Sequence, residues 1–444
     1  MSEILRSVGL DVGTTSTQMI LSELTVENKA GSFSVPEMEI GERKILYRSP
    51  VHFTPLIAGE LVDAAALRQI IAEEYRKAGI TRDSVDTGAI IITGETSRKE
   101  NAAAVLQELS GFAGEFVVAT AGPDLESILA AKGAGADDYS RRHGKTVLHM
   151  DIGGGTSNFA FIREGKIEKT GCLNVGGRLI KMDKNWEIRY ISPVLAGICD
   201  LQVGQTVTQE QIAPVAEVLT QALEMAAGLR PSTALLEKLT TAESSPMDLP
   251  ENPGDWVISF SGGVADCIRQ DVPWLEYGDL GPILGRTIRK SRLCQGAYVL
   301  GSETIRATVI GAGCHSAQLS GSTVFHRNVE FPLKNIPVAE LSQNISGDDP
   351  VVLALEGIRS PTYEQVCQLA EEIVARHRSG PVLVGLQEDM AKALGQALAL
   401  KLGQDARILC IDRVKLATGS FLDVGAPVGP ALPVVVKTLA LSRE

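Results

Sequence analysis

Short apolar runs alternate with segments of helical apolar spacing along the first third of the chain. The run Ala89–Thr93, with three consecutive isoleucines, is typical of a buried strand, whereas Asp63–Ala78 repeats its apolar residues three and four positions apart, as one face of a helix does. The same patterns predict helices over 102–109 and 125–134 and a strand over 116–119. Strands that alternate with helices predict an α/β sheet with helical crossovers. Segment 30–60 shows neither period, and we interpret it as an irregular insertion on the first lobe.

One short pattern occurs twice. Val8–Gln18 and Leu148–Asn158 each run from an apolar strand through an aspartate into a turn of Gly, Thr and Ser, and then into a second apolar segment. After the second copy, the turn at Glu164 and Gly165 leads into a further strand, Lys166–Thr170, which gives a meander. The repetition after 140 residues indicates two equivalent lobes.

The alternation restarts twice beyond the repeat. Strands are predicted over 186–192 and 256–261, a helix over 207–223 and a polar loop over 240–253. Later strands are predicted over 351–355, 382–386, 407–411 and 434–441, with helices over 363–377 and 390–402. We therefore divide the chain into a first lobe (1–145), a second lobe (146–325) and a C-terminal α/β lobe (326–444), whose function the pattern does not indicate.

Composition narrows the classes of function. The 444 residues include 42 Lys and Arg against 54 Asp and Glu, and this net charge of −12 disfavours non-specific binding to nucleic acids or anionic membranes. Seven scattered cysteines without a C-x-x-C pair indicate reduced thiols in a reducing compartment. No signal-peptide pattern opens the chain, and no apolar run approaches the roughly 18 residues of a membrane span. We expect a cytoplasmic protein with neither nucleic acid nor membrane as partner, and leave association with a bacterial microcompartment open.

Each copy of the repeated pattern has the chemistry of a phosphate and metal site. Backbone N–H groups of a Gly/Thr turn can point at a phosphate, and Gly13 and Gly153–Gly155 allow the close approach that a Cβ would block. The aspartates that begin the turns, Asp11 and Asp151, suit Mg²⁺, which prefers a few carboxylates plus phosphates and keeps several waters. The alternative is a hairpin with an Asx turn. Two matching loops on matching strands favour the phosphate interpretation.

Other motifs carry weaker signals. Gly262 and Gly263 follow a strand, where a double glycine lets a ribose or purine lie against the backbone. Gly144–Thr146 resembles the end of a Walker loop, but residue 139 is not the glycine that this motif requires, and we reject it. We interpret Gly311–Gly313 as close helix packing and His149 as a hydrogen-bonded core histidine.

Together these motifs resemble the actin-like ATPase superfamily over residues 1–325. Asp11–Thr15 resembles its first phosphate loop, Asp151–Thr156 its second, and Ser261–Ala265 its adenosine loop, while Gly122–Ala131 resembles the start of its first interdomain connector. The resemblance implies an α/β, actin-like (ribonuclease H-like) two-lobed ATPase fold with an additional C-terminal α/β lobe. It also implies ATP and Mg²⁺ as cofactors.

The resemblance extends to individual residues. Nucleotide contacts are expected from the loop residues Gly13, Thr14, Thr15, Gly153, Gly154, Gly155, Thr156, Gly262 and Gly263. Asp11 and Asp151 are expected to be catalytic and to hold the metal. Glu126, at the start of the connector helix, is a third catalytic candidate that would orient the attacking water or hold a metal-bound water. The alternative is a carboxylate that only interacts favourably with the helix dipole.

A narrower resemblance covers nearly the whole chain. Gly9–Gln18, Ile92–Asn101, Gly419–Val428 and Pro433–Thr438 look like the reactivating factors of ethanolamine ammonia-lyase. This resemblance implies an ATPase whose hydrolysis is coupled to remodelling of a protein client, so that damaged cobalamin leaves the lyase and intact adenosylcobalamin binds. The implied partners are ethanolamine ammonia-lyase, ATP and ADP, and, through the client, cobalamin.

Three alternatives share this fold. A small-molecule kinase needs a carboxylate base beside an acceptor pocket, and the sequence carries no sugar-binding signature. A filament-forming protein does not need the extra C-terminal lobe, and iron–sulfur activators need clustered cysteines, whereas these are dispersed. The first loop carries Ser16 and Gln18 where several superfamily members place a lysine near the phosphates, which indicates slow turnover.

Overall fold

A computed structural model gives the fold of the protein. It describes residues 3–13, 16–28, 38–57, 61–93, 101, 105, 109, 117–120, 122–242, 244, 249, 256–315, 318–319, 324–341, 350–376, 380–414, 416, 420–425, 427 and 432–438. Most of the helix predicted over 102–109 lies outside these ranges. Within them, no helix has the length and apolar character needed to cross a membrane.

The first lobe is built on a mixed sheet. Its strands are β1 (Glu3–Val12), β2 (Ser16–Asn28), β3 (Met38–Arg48), β4 (His52–Phe53), β5 (Leu56–Ile57), β6 (Leu61–Val62), β7 (Thr87–Ile92) and β8 (Val117–Thr120). The helices in this part of the chain are α1 (Ala64–Ala78), α2 (Pro123–Gly133) and α3 (Ala136–His143), of which α2 and α3 pack on the second sheet. The sheet order is β3-β2-β1-β7-β8, with β4 on β2, while β5 and β6 pair with each other. Strands β3, β2 and β1 are antiparallel, and β7 and β8 continue parallel to β1.

The hydrophobic pattern explains the helix on this sheet. Leu10 of β1 and Ile90 of β7 belong to one buried cluster with Leu67 and Ile71 of α1. The side chain of Asp63 caps this helix by accepting a hydrogen bond from the backbone of Ala66. The predicted helix over 63–78 is therefore confirmed.

The interpretation of segment 30–60 as irregular was wrong, because Met38–Arg48 forms the outer strand β3. Most of the described side chains of β3 are exposed or half-buried, so the strand needs no regular apolar alternation. Its pairing with β2 also shifts register twice. Both features hide the period of two on which prediction from sequence depends.

The second lobe repeats the plan of the first. Its strands are β9 (Val147–Ile152), β10 (Ser157–Arg163), β11 (Lys166–Leu173), β12 (Ile180–Met182), β13 (Ile188–Ile191), β14 (Val257–Ser261) and β15 (Tyr298–Leu300), and its helices are α4 (Gln209–Ala226), α5 (Ala234–Leu239), α6 (Gly263–Arg269) and α7 (Gly281–Lys290). The main sheet has the order β11-β10-β9-β14-β15, in which an antiparallel meander is again followed by two parallel strands. Two sheets with this shared topology confirm the actin-like (ribonuclease H-like) fold.

Two helices form a layer between the sheets. Helix α2 packs on β9, β10 and β11, whereas α8 (Ala307–His315) packs on β1, β2 and β7, and the two helices contact each other closely. A Cβ at Gly311 would collide with the carbonyl oxygen of Leu129, and one at Gly133 with that of Ala307. This contact confirms the interpretation of Gly311–Gly313 as close helix packing.

The C-terminal lobe contains one further sheet. This sheet begins before residue 326, where the sequence pattern placed the start of the lobe. Its strands are β16 (Gln318–Leu319), β17 (Phe325–Arg327), β18 (Leu333–Glu340), β19 (Val352–Leu355), β20 (Val382–Leu386), β21 (Ile408–Ile411), β22 (Ser420–Val424) and β23 (Pro433–Thr438), and its helices are α9 (Tyr363–Arg376) and α10 (Ala391–Leu402). The sheet order is β16-β23-β22-β18-β19-β20-β21-β17. Strand β16 also contacts β3, and β23 contacts β8, so this lobe touches both outer strands of the first sheet.

Replacement of Gly311 by alanine should destabilise the contact between α2 and α8. The new Cβ meets backbone atoms, which cannot move aside as a flexible side chain can, so we expect Gly311→Ala to lower the free energy of unfolding by about 1–3 kcal/mol. Gly296→Ala is the matched control, because a Cβ there has no heavy atom within 4 Å and should change stability by about 0.5 kcal/mol or less. Urea unfolding measures both values, and equal stabilities of the two variants would contradict the packing argument.

Candidate active site

A cavity of about 310 Å³ opens where the carboxyl ends of the two main sheets face each other. Almost all of the residues predicted for the site line it: Asp11, Gly13, Glu126, Asp151, Gly153, Gly154, Gly155, Thr156, Gly262 and Gly263. Thr14 and Thr15 lie outside the described residues. The structure therefore brings together in one place residues that are up to 252 positions apart in sequence.

The two Asp loops close in the same way. The N–H of Gly13 donates to the carbonyl oxygen of Ser16, and the N–H of Gly153 donates to that of Thr156, each over 2.9 Å. Both loops are therefore tight connections between antiparallel strands, and both lie against the cavity. A Cβ at Gly155 would have no heavy atom within 4 Å, so bare backbone faces open space there.

Asp11 is held at the end of β1 by the next parallel strand. The hydroxyl of Thr93, directly after β7, donates to the Asp11 carboxylate over 2.8 Å. Burial raises the pKa of Asp11 to about 7, against the hydrogen bond from Thr93, and the negative charge of Asp151 adds to the increase. The two carboxylates thus repel each other across the cavity.

Asp151 is held by a chain of buried polar groups. Ser261 donates to its carboxylate, the Nε2 of His149 lies 2.9 Å from the Ser261 hydroxyl, and the Nδ1 of His149 lies 3.0 Å from that of Ser259. Burial lowers the pKa of His149 to about 3, so the ring is neutral, and burial raises the pKa of Asp151 to about 6. With Ser261 donating to Asp151, Nε2 must be the protonated nitrogen. The interpretation of His149 as a hydrogen-bonded core residue is confirmed.

The double glycine after β14 has a packing reason. Gly262 has a φ of +85°, and a Cβ there would collide with the carbonyl oxygen of Ile152 at the end of β9. Gly262 therefore allows the two strand ends to approach, and Gly263 begins α6 at the cavity wall.

The sequence analysis missed a polar group on the second lobe. Arg178 packs beside Gly154, and its Nε lies 3.3 Å from a carboxylate oxygen of Asp279. The N–H of Gly177 also donates to the carbonyl oxygen of Gly153 over 3.0 Å, so this segment supports the second loop. No spacing motif links these residues to the loop, because they reach it only where the chain folds back after β11.

Two buried carboxamides complete the polar wall of the cavity. Gln18 pairs with Asp11 between β2 and β1, and Asn158 pairs with Asp151 between β10 and β9. The side-chain oxygens of both amides are buried and have no hydrogen-bond partner among the described residues. No group of three or more His, Cys, Asp or Glu suited to a metal occurs in the described part of the chain. Within that part of the chain, Asp11 and Asp151 therefore have neutral oxygen atoms, rather than a cluster of further charged ligands, directly beside them.

Comparison with known proteins gives a consistent result. A model of the family described as "Ethanolamine utilisation protein EutA" matches residues 3–349 and 343–442. Two curated relatives named "Ethanolamine ammonia-lyase reactivase EutA", from Salmonella typhimurium and Escherichia coli strain K12, are each 38% identical over 98% of this chain and 98% of their own length. Among solved structures, a PPX-GPPA enzyme of Aquifex aeolicus is similar with a TM-score of 0.43 and 13% identity, over 70% of this chain and 99% of that chain.

The buried carboxylate of Asp11 should make the stability of the empty protein depend on pH. Its pKa in the folded chain, about 7, exceeds the ordinary value of 3.8 expected after unfolding. Between these values the folded chain keeps a proton that the unfolded chain has lost, so the Asp11 contribution to the free energy of unfolding falls as pH rises from about 4 to about 7. In buffer without metal or nucleotide, Asp11→Asn should therefore be more stable than wild type at pH 8 and nearly equal to it at pH 4. Urea unfolding at both pH values checks this, with exposed Asp405→Asn as control; a stability difference independent of pH would contradict the prediction.

Proposed function

The chain belongs to the EutA family of ethanolamine utilisation proteins, and from this premise we propose that it is an ATP-dependent reactivating chaperone of ethanolamine ammonia-lyase. In this proposal it binds ATP with Mg²⁺ and couples hydrolysis to exchange of damaged cobalamin on the lyase for intact adenosylcobalamin. The observation that carries the proposal is the 38% identity, over 98% of the chain, to proteins named as reactivases of that lyase. We place the exchange in the cytoplasm, which fits seven cysteines that all carry free thiols.

The cavity fits a nucleotide through its loops. Backbone N–H groups near Gly13 and Gly153–Gly155 can approach phosphate oxygens because the glycines have no Cβ of their own. Arg178 adds a cation beside the second loop, where it would balance phosphate charge. Gly262 and Gly263 would leave room for the adenosine against the end of β14.

The cavity also fits a hydrated divalent cation. Asp11 and Asp151 provide two carboxylates, and the unpartnered oxygens of Gln18 and Asn158 provide neutral acceptors beside them. Bound Mg²⁺ would neutralise phosphate charge during phosphoryl transfer. The two aspartates would hold the metal, because oxygen ligands are those that Mg²⁺ prefers. Thr93 and Ser261 fix the orientation of these carboxylates before any ligand arrives.

Glu126 would orient the water molecule that attacks the terminal phosphate of ATP. It lies in the first turn of α2 and lines the same cavity as both aspartates. A carboxylate in this position can orient a water molecule for attack on the terminal phosphate. Because α2 also contacts α8 and the second sheet, a change at the phosphates would reach the contact between the lobes.

The lyase, as the proposed client, would respond to a change in the arrangement of the lobes that depends on the bound nucleotide. The exchange of ATP for ADP can change the conformation of the lyase only by as much as the ATP-bound and ADP-bound arrangements differ in their affinity for it. We propose the C-terminal lobe as the client-binding surface. The family membership favours a reactivase over the alternative of a small-molecule kinase.

The decisive experiment uses lyase inactivated with an adenine-lacking cobalamin. Incubation with this protein, ATP, Mg²⁺ and adenosylcobalamin should restore deamination and release the damaged cobalamin, and omission of ATP should abolish both. Asp151→Asn should lower hydrolysis about 10²-fold to 10³-fold and slow reactivation in parallel, because positioned charge carries most of phosphoryl-transfer catalysis. The control is Asp137→Asn, a buried aspartate outside the cavity. Cobalamin release that never depends on this protein would defeat the proposal.

The role of Glu126 can be separated from a helix-dipole effect. Glu126→Gln should keep ADP affinity and lower hydrolysis about 10²-fold, since the neutral amide orients water poorly. Asp124→Asn removes a carboxylate from the same first turn of α2 but outside the cavity, and should hydrolyse ATP normally. If both variants hydrolyse ATP at the wild-type rate, Glu126 serves only the helix terminus.

A further inference from the structure

The two carboxamides at the cavity are equivalent by structure. Gln18 and Asn158 each follow their aspartate by seven residues, and each is the direct cross-strand partner of that aspartate. Directly opposed residues of antiparallel strands point to the same face of a sheet. Each lobe therefore presents one carboxylate and one carboxamide side by side to the same cavity.

Their oxygens are buried without a partner. Gln18 is 4% exposed and Asn158 is 2% exposed, and neither side-chain oxygen accepts a hydrogen bond. The Gln18 amide nitrogen donates to the carbonyl oxygen of Ile305 over 3.2 Å, which identifies the oxygen as the free atom. A buried acceptor without a hydrogen bond destabilises the fold, so two equivalent ones in one cavity point to a ligand that supplies positive charge or O–H donors.

We propose that Gln18 and Asn158 form, with Asp11 and Asp151, a pseudo-symmetric set of oxygens that holds a divalent cation and its waters between the lobes. This inference rests on the proposed function and adds two ligands from this chain to it. The carboxamides add oxygen ligands without adding negative charge to a cavity that is already lined by five carboxylates and, in the proposed function, must admit phosphates. Gln18 also contacts Ile305, which precedes α8, so the cation would tie the first sheet to the segment that joins the lobes.

The test measures binding of Mn²⁺, a paramagnetic substitute for Mg²⁺, by electron paramagnetic resonance without nucleotide and with ADP. Gln18→Met and Asn158→Leu remove the oxygens at nearly constant volume, and each should lower Mn²⁺ affinity about 10-fold to 100-fold. In metal-free buffer Asn158→Leu should be at least as stable as wild type in thermal unfolding, because an unsatisfied acceptor is lost. Gln18→Met should differ little from wild type, because the loss of the hydrogen bond to Ile305 offsets that gain. A residue with a merely structural role would instead lower stability. Gln205→Met, the same substitution outside the cavity, is the control and should leave Mn²⁺ affinity unchanged.

A second pair keeps the test informative if the apolar variants unfold. Gln18→Glu and Asn158→Asp retain an oxygen and add charge, so Mn²⁺ affinity without nucleotide should rise. Unchanged Mn²⁺ affinity in the folded variants, or a wild type that binds no Mn²⁺, would overturn the inference. Reactivation of the lyase tests the proposed function separately. If the wild-type protein binds Mn²⁺ through these residues but never reactivates the lyase, the proposed function is overturned and this inference stands.

Discussion

The burial of two carboxylates, Asp11 and Asp151, is the constraint around which the candidate active-site cavity is arranged. Asp11 and Asp151 end equivalent strands and face each other where burial already disfavours their charge. Neutral or donating groups surround them: Thr93 on one, Ser261 on the other, and carboxamides beside both. Burial of these charges lowers the stability of the empty protein, and a positively charged ligand would offset that loss. Many functional sites lower stability in this way.

Close backbone packing places these carboxylates opposite each other. Helices α2 and α8 touch through Gly133 and Gly311, and α8 meets β1 where Gly9 faces Gly313. Side chains at these positions would push the helices and the two sheets apart. Some of the 44 glycines of the chain thus allow close approach in the layer between the lobes, as others do in the two Asp loops.

The sequence predicted the features that local patterns encode. Repeated Asp turns, apolar strands and the helix capped by Asp63 depend on residues near one another in the chain, and the structure confirms them as elements. Strand β3 was missed because an exposed outer strand needs no apolar period. The pairing of Arg178 with Asp279 was missed because the two residues are about 100 positions apart and meet only in the folded chain. The equivalence of Gln18 and Asn158 required the strand register, which sequence spacing alone does not determine.

The contacts of the C-terminal lobe have a mechanical consequence. Because β16 meets β3 and β23 meets β8, and β16 and β23 pair with each other, one short ribbon braces both outer strands of the first sheet. A braced sheet resists changes in its twist. The first and C-terminal lobes should therefore move together as one rigid unit, so that any rearrangement between the lobes would be a movement of the second lobe relative to that unit.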